Sequence, residues 1–247
     1  LNDRFKLRNG LISKTLPEYS YINNWTNEKE IYSLDSNHPK VVSFKKKHGL
    51  EDKFVFMYSG NIGLYYDLEN LIKIVEKFKN EKNVAFAFVG EGTVKADLEA
   101  YKEKHQLENV YFIPYQSKED LIYSLNAGDV HWVVNAKGIR GVSVPSKLYG
   151  VMAAGRPVLG VLEEGSEARL IIEEAKCGYV SEPSRYDQIE KSIRKFIFEK
   201  GTLSLKKMGE DGREYLVRNL TKDTSINKYI NEIDSLKQTV KGEIQYE

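Results

Sequence analysis

From Phe54 onward the chain repeats one pattern: a short, almost wholly apolar run, a turn, then a longer stretch whose apolar residues return every three or four positions. The apolar runs are FVFMYSG (54–60), VAFAFVG (84–90), VYFIP (110–114), DVHWVV (129–134), PVLGVL (157–162) and GYVSE (178–182). Strands apolar at nearly every position suit a parallel sheet covered on both faces. Between them the pattern predicts helices near 67–79, 94–105, 118–127, 146–154, 166–176 and 185–200. In the first of these, Leu68, Leu71, Ile72, Val75 and Phe78 fall on one side and Lys and Glu on the other. Such alternation makes right-handed βαβ crossovers, and so an α/β fold: a doubly wound, mainly parallel, six-stranded Rossmann-like sheet. After Lys200 come two helical stretches, 203–219 and 222–238, with no strand between them. They are too polar to be central and are expected along the outside.

Composition narrows the function classes. At 247 residues the chain can bury a sizeable core, and 41% hydrophobic with 30% charged residues is ordinary for a globular protein. Lys plus Arg total 37 against 36 Asp plus Glu, so no net field favours nucleic acid. The single cysteine, Cys177, excludes an internal disulfide and suits a reducing, cytoplasmic setting. No apolar run is long enough to cross a bilayer, and no signal-peptide pattern stands at the start. The chain opens LNDRFKLRNGLISKTLPEYSYINNW, without a methionine or a strand, and reads as if entered in mid-protein. It is expected to be a fragment.

An open parallel sheet binds ligands beyond the carboxyl ends of its strands, so candidate chemistry lies in the loops that follow them. After the first strand, SGNIG offers Gly60, Asn61 and Gly63, a turn whose backbone could approach a phosphate or could be a plain tight connection. After the second come Gly90, Glu91 and Gly92, one glycine short of a dinucleotide fingerprint, with Thr93 as a helix cap. After the third, Pro114 and Tyr115 form a short rigid step against which a planar base could lie, although core packing of Tyr115 is an equal alternative. Ser117 facing Asp120 then makes a capping box.

The most specific stretch is GVSVPSKLYGVMAAGRPVL (141–159). A hydroxyl and a cation, Ser146 and Lys147, stand at a predicted helix start and suit an anion, while Ala153, Ala154 and Gly155 suit close packing. The bland alternative for Lys147 is a solvated surface lysine. Upstream, Lys137 and Arg140 lie in a glycine-bearing loop, and downstream Glu163, Glu164 and Glu167 follow the fifth strand, where Glu167 could bind sugar hydroxyls or serve as helix N-terminal charge. No Ser/His/Asp order, zinc spacing or acidic cluster is present, so neither a metal nor another cofactor is expected. Of four scattered histidines, His131 sits within a strand and is expected to be buried and hydrogen-bonded.

Taken in order, INNWTN, MYSGNIGLYYDLENLI, FAFVGEG, VYFIPYQSKEDL, GDVHWV, PSKLYGVMAAGRPVLG, GSEARLI and MGEDGREYL resemble the C-terminal domain of GT-B fold glycosyltransferases. The likeness is to the family 4 retaining enzymes that use nucleotide-diphosphate sugars, and it runs from about Ile22 to about Tyr229. It implies a linker from an absent N-terminal acceptor domain at 1–25, a donor-binding domain at 26–200, and helices at 201–247 that cross back toward the absent half. It implies a sugar transferred from an NDP-sugar, UDP first, to a glycan or lipid-linked acceptor in surface polysaccharide synthesis, with the fragment alone inactive. Any membrane contact would be peripheral, at the inner face, and would belong to the full-length protein. By this likeness the diphosphate meets Gly60, Asn61, Gly63, Ser146, Lys147 and Arg140. The base and ribose meet Gly90, Glu91, Pro114, Tyr115 and Leu148, and the donor sugar meets Val142, Ser143, Val144 and Glu167. Two glutamates common in the family fall on Val142 and Gly150, and its usual arginine and lysine on Asn61 and Tyr66, which leaves Glu167 as the nearest substitute for the ribose contact. The alternatives are a nucleotide-sugar binding module without transfer activity and a sugar-nucleotide epimerase-like domain.

Overall fold

The computed structural model describes residues 22–244, with side chains described through 235; most of the 1–25 lead-in therefore lies outside the described residues. Six strands follow the predicted runs: β1 Phe54–Ser59, β2 Val84–Val89, β3 Val110–Ile113, β4 Val130–Val134, β5 Val158–Val161 and β6 Gly178–Ser181. All pairings are parallel and the order is β3-β2-β1-β4-β5-β6. The chain works outward from β1 to β3, returns, and works outward again from β4 to β6. The switch point is the seam between β1 and β4. There only Phe56–Val130 and Met57–His131 are in register, so the two strands part before β1 ends and open a crevice at their carboxyl ends.

Helices cover both faces: α1 Pro39–Lys47, α2 Leu68–Val75, α3 Lys95–His105, α4 Leu121–Ala127, α5 Lys147–Ala153, α6 Glu167–Ala175, α7 Tyr186–Phe198, α8 Leu203–Asn219 and α9 Lys222–Ile244. Alternation along the strands sends successive side chains to opposite faces. Phe54, Phe56 and Tyr58 of β1 join Phe86, Phe88 and Trp132 under α2, α3 and α7. Val55 and Met57 face the other way with Ala85 and Ala87, under Val41 and Phe44 of α1. A third cluster, from Val133 and Val158 to Leu148, Met152 and Ile172, seats α5 and α6.

Four details depart from the pattern reading. Helix α1 was not foreseen, because its mean hydropathy is low and only Val41 and Phe44 are buried; Pro39 at its first turn and Gly49 just beyond it, at φ +66°, are the local signals. The helix expected over 67–79 is α2 followed by a 3-10 turn at Glu76–Phe78. Val94 rather than Thr93 precedes α3, and no side chain caps it. Helix α8 is not peripheral: Leu205, Gly209, Gly212 and Leu216 form a buried stripe. A Cβ on Gly209 would lie 2.1 Å from the Gly155 carbonyl oxygen, and one on Gly212 would lie 2.8 Å from Cys177 Cβ. Two glycines one turn apart let α8 press on the end of α5 and the start of β6.

Candidate active site

Two loops build the floor of the crevice by prolonging the sheet. Beyond β1 and β2, the Gly60 N–H donates to Val89 O at 2.9 Å, Ile62 N–H to Glu91 O at 2.8 Å and Gly90 N–H to Ile113 O at 2.9 Å. Gly60 and Gly90 both have φ +145°, a region closed to ordinary side chains. A Cβ on Gly90 would stand 2.0 Å from Gly60 O, so Gly90 permits the β1 turn to lie against the β2 turn. The Tyr58 hydroxyl donates to Asn61 O at 2.6 Å and fixes the turn from below.

Over this floor lies a pocket of about 530 Å³. Its lining includes Ser59, Gly60, Asn61, Tyr66, Tyr115, Gln116, Ser143, Val144, Pro145, Ser146 and Lys147, with Leu125, His131 and Gly150 toward its inner end. The structure thus brings together Gly60, Asn61, Tyr115, Ser143, Val144, Ser146 and Lys147 from three separate loops, those that follow β1, β3 and β4. Other predicted site residues lie elsewhere. Gly63, Gly90 and Leu148 are buried, and Leu148 is a core anchor of α5 with no surface toward the pocket. Glu91 reaches back to Lys95 at 2.8 Å. Pro114 is exposed next to Tyr115 and accepts from Gln116 Nε2 at 2.7 Å. Val142 is exposed outside the pocket lining. The Arg140 guanidinium lies near Gly165, while its N–H and that of Gly138 both donate to Glu163 Oε2, at 2.9 and 3.0 Å. Glu167 Oε1 accepts from Tyr149 at 3.2 Å and Asn23 at 3.0 Å.

Lys147 is the unexpected feature. Pattern reading left open a solvated surface lysine, but its Nζ is buried and has no hydrogen-bond partner among the described residues. The ammonium stands 3.8 Å from the ring centre of Tyr58 and 4.2 Å from that of Tyr66. Burial pushes its pKa from 10.5 down to about 7, and burial first, then neighbouring Tyr66 and Tyr115, pushes the Tyr58 phenol up. Tyr58 and Tyr66 are site residues that sequence reasoning missed. Tyr58 reads there as one more inward strand aromatic, and Tyr66 comes close only because a 3-10 turn at Leu64–Tyr66 folds it back. His131, as expected, is buried with Nε2 2.9 Å from Leu125 O, and burial holds its pKa down to about 4. Ser117 Oγ accepts from the Asp120 N–H at 3.1 Å and donates to Asp120 Oδ2 at 3.2 Å, but α4 begins only at Leu121 and has no side-chain cap, so these contacts close the turn ahead of the helix and do not form the expected capping box. No helix among the described residues is long and apolar enough to cross a membrane.

Comparison with known proteins agrees with this architecture. Among curated proteins, the chain is 30% identical over 209 residues to the "Probable glycosyltransferase WbjE" of Pseudomonas aeruginosa, covering 85% of this chain and 50% of the relative. It is 33% identical over 187 residues to WcaI of Escherichia coli K12, covering 74% and 44%. The chain thus spans about half the length of the curated relatives it matches. Among solved structures, Anabaena HepE in complex with UDP and glucose superposes with a TM-score of 0.72 at 15% identity, over 87% of this chain and 56% of that one. The C-terminal domain of a group 1 glycosyl transferase, LpcC of Francisella tularensis, superposes with a TM-score of 0.65 at 18% identity, over 80% of this chain and 99% of that domain. The profile of "Glycosyl transferases group 1" matches residues 42–215, and with the parallel sheet and its switch-point crevice this places the chain in the group 1 glycosyltransferase family, with the GT-B fold.

Proposed function

We propose that this chain is the donor-nucleotide domain of a retaining, metal-independent glycosyltransferase. In the whole enzyme a sugar passes from a nucleotide diphosphate, UDP first, to a glycan or lipid-linked acceptor held by another part of the protein at the cytoplasmic side of a membrane. The observation that carries this reading is Lys147: a buried ammonium without a hydrogen-bond acceptor among the described residues, at a pocket where two strands part. Burying a cation without an acceptor is costly, and a site that keeps one suits an anionic ligand. A diphosphate supplies oxygens for the three N–H donors. In transfer the leaving diphosphate gains negative charge, which a fixed cation stabilises more than it stabilises the ground state. Asn61 and Ser146 add donors, Tyr115 and Gln116 offer a platform for the base, and Ser143 and Val144 face the donor sugar. Arg140 and Glu167 lie outside the pocket lining, and the Glu167 carboxylate, at the start of α6, is bonded to Tyr149 and Asn23. UDP binding to HepE is a property of that neighbour, and it makes UDP the first ligand to try.

Titration calorimetry of the 247-residue chain with UDP and with uridine tests the reading. Lys147→Met removes a charge-assisted bond worth about 1.5–3 kcal/mol, so UDP affinity falls roughly 10- to 150-fold and uridine affinity stays unchanged. Binding persists in EDTA. Equal losses for both ligands, or no UDP binding to the wild-type chain, overturn the assignment.

A further inference from the structure

The surroundings of Lys147 are specific enough to assign work to its two aromatic neighbours. Tyr58 is fully buried near the end of β1, and its hydroxyl is committed to Asn61 O at 2.6 Å. Tyr66, half-buried, arrives from the 3-10 turn with its ring centre 6.0 Å from that of Tyr58. Between and beside these rings stands the Lys147 ammonium. The lysine tip lies against Gly60: a Cβ added there would be 3.5 Å from both Cε and Nζ. Ring faces attract a cation but offer no lone pairs comparable to an oxygen, so the three N–H donors stay unmatched. The titratable groups around it are Tyr58 on β1, Tyr66 on the 3-10 turn, Tyr115 across the pocket, and Tyr149 on its own helix, whose hydroxyl is turned to Glu167. Burial alone shifts Lys147, and no carboxylate is paired with it among the described residues.

We propose that Tyr58 and Tyr66 are positioning residues for Lys147: their ring faces form a slot that seats its ammonium beside Gly60, from which the oxygens of a diphosphate take it over. This rests on the reading of Lys147 as the diphosphate ligand. The slot has a consequence that a lysine waiting in water would not have. Burial holds Lys147 near 7, whereas a bound diphosphate restores its ordinary range, so above neutral pH the ligand is bound together with a proton taken from solvent. At pH 8, where about nine tenths of a group titrating near 7 is neutral, uptake amounts to about 0.9 proton per UDP. The same linkage weakens UDP binding roughly 20-fold between pH 7.5 and 9.

Calorimetry of UDP binding at pH 8 in two buffers of different ionisation enthalpy counts the protons. The wild-type chain and Tyr66→Phe, which keeps the ring, take up close to one. Tyr66→Leu opens the slot to water, and its uptake falls below about a third, with a flat dependence of affinity on pH. Uptake by Tyr66→Leu equal to that of wild type, or none by wild type, overturns the proposal. A second measurement needs no nucleotide: spectra of the chain labelled with 13C at lysine Cε should show one resonance titrating near pH 7, missing in Lys147→Met and moved above pH 9 in Tyr66→Leu. If UDP binds through Lys147 but no such resonance exists, the slot is wrong and the nucleotide reading stands. If the resonance exists and UDP does not bind, the nucleotide reading falls and the hand-over falls with it.

Discussion

Replacing Gly90 with alanine adds a single methyl group, and the structure says where it goes. The new Cβ would lie 2.0 Å from the Gly60 carbonyl oxygen and 3.0 Å from its carbon, against a normal approach of about 3.2 Å or more. Relief therefore requires the β1 turn to retreat by about 1 Å, which strains the Gly60–Val89 and Ile62–Glu91 hydrogen bonds of 2.9 and 2.8 Å. Two weakened backbone bonds cost about 1–3 kcal/mol, and holding alanine at φ +145° adds about 1–3 more. The expected loss is about 2–6 kcal/mol, read from guanidinium unfolding. Because the retreating turn is the floor of the pocket, UDP affinity should fall at least tenfold under conditions where the variant is still folded. Gly138→Ala is the control: its φ is +87°, but nothing lies within 4 Å of the added Cβ, so only the conformational cost of about 1 kcal/mol applies. If Gly90→Ala and Gly138→Ala lose the same stability, the contact between the two turns has no energetic weight, and Gly90 has another role.

Lys147→Met should reveal an opposition between stability and binding. With its folded-state pKa held near 7 against 10.5 unfolded, Lys147 makes the unfolded chain bind more protons between those values, so wild-type stability relative to the variant rises by about 1.4 kcal/mol per pH unit from 7 toward 10. Unfolding of both proteins at pH 7 and 9 measures this, and parallel pH dependences would refute it. Gly209→Ala places a Cβ 2.1 Å from Gly155 O and pushes α8 away from the end of α5; a loss of about 2–4 kcal/mol in urea unfolding is expected, and a loss under 1 kcal/mol would show that the two elements separate freely.

Much of this molecule follows from local rules. Continuous apolar runs such as VAFAFV can only be doubly covered strands, and the amphipathic stretches between them can only be crossover helices, so the parallel α/β sheet and its six strands were legible in the pattern. The convergence of candidate residues was partly legible for the same reason: loops after parallel strands share one edge, which brought Gly60, Asn61, Tyr115, Ser146 and Lys147 to one pocket. What the pattern could not assign is how those loops pack on each other. Gly90 looked like a residue near a ligand and is instead the contact point of a second turn. Leu148, adjacent to Lys147 in sequence, points into the core because a helix turns about 100° per residue. Arg140 and Glu167 carry suitable charges, but the Arg140 backbone is bonded to Glu163 and the Glu167 carboxylate to Tyr149 and Asn23, contacts that only the fold brings about. The polar face of α8 hid a stripe of two glycines whose value lies only in what they approach. Lys147 shows the limit most clearly. Sequence supplies a cation after a strand, but its charge, burial and reach depend on Tyr58 and Tyr66, some eighty to ninety residues away, and burial is a property that only the assembled fold possesses.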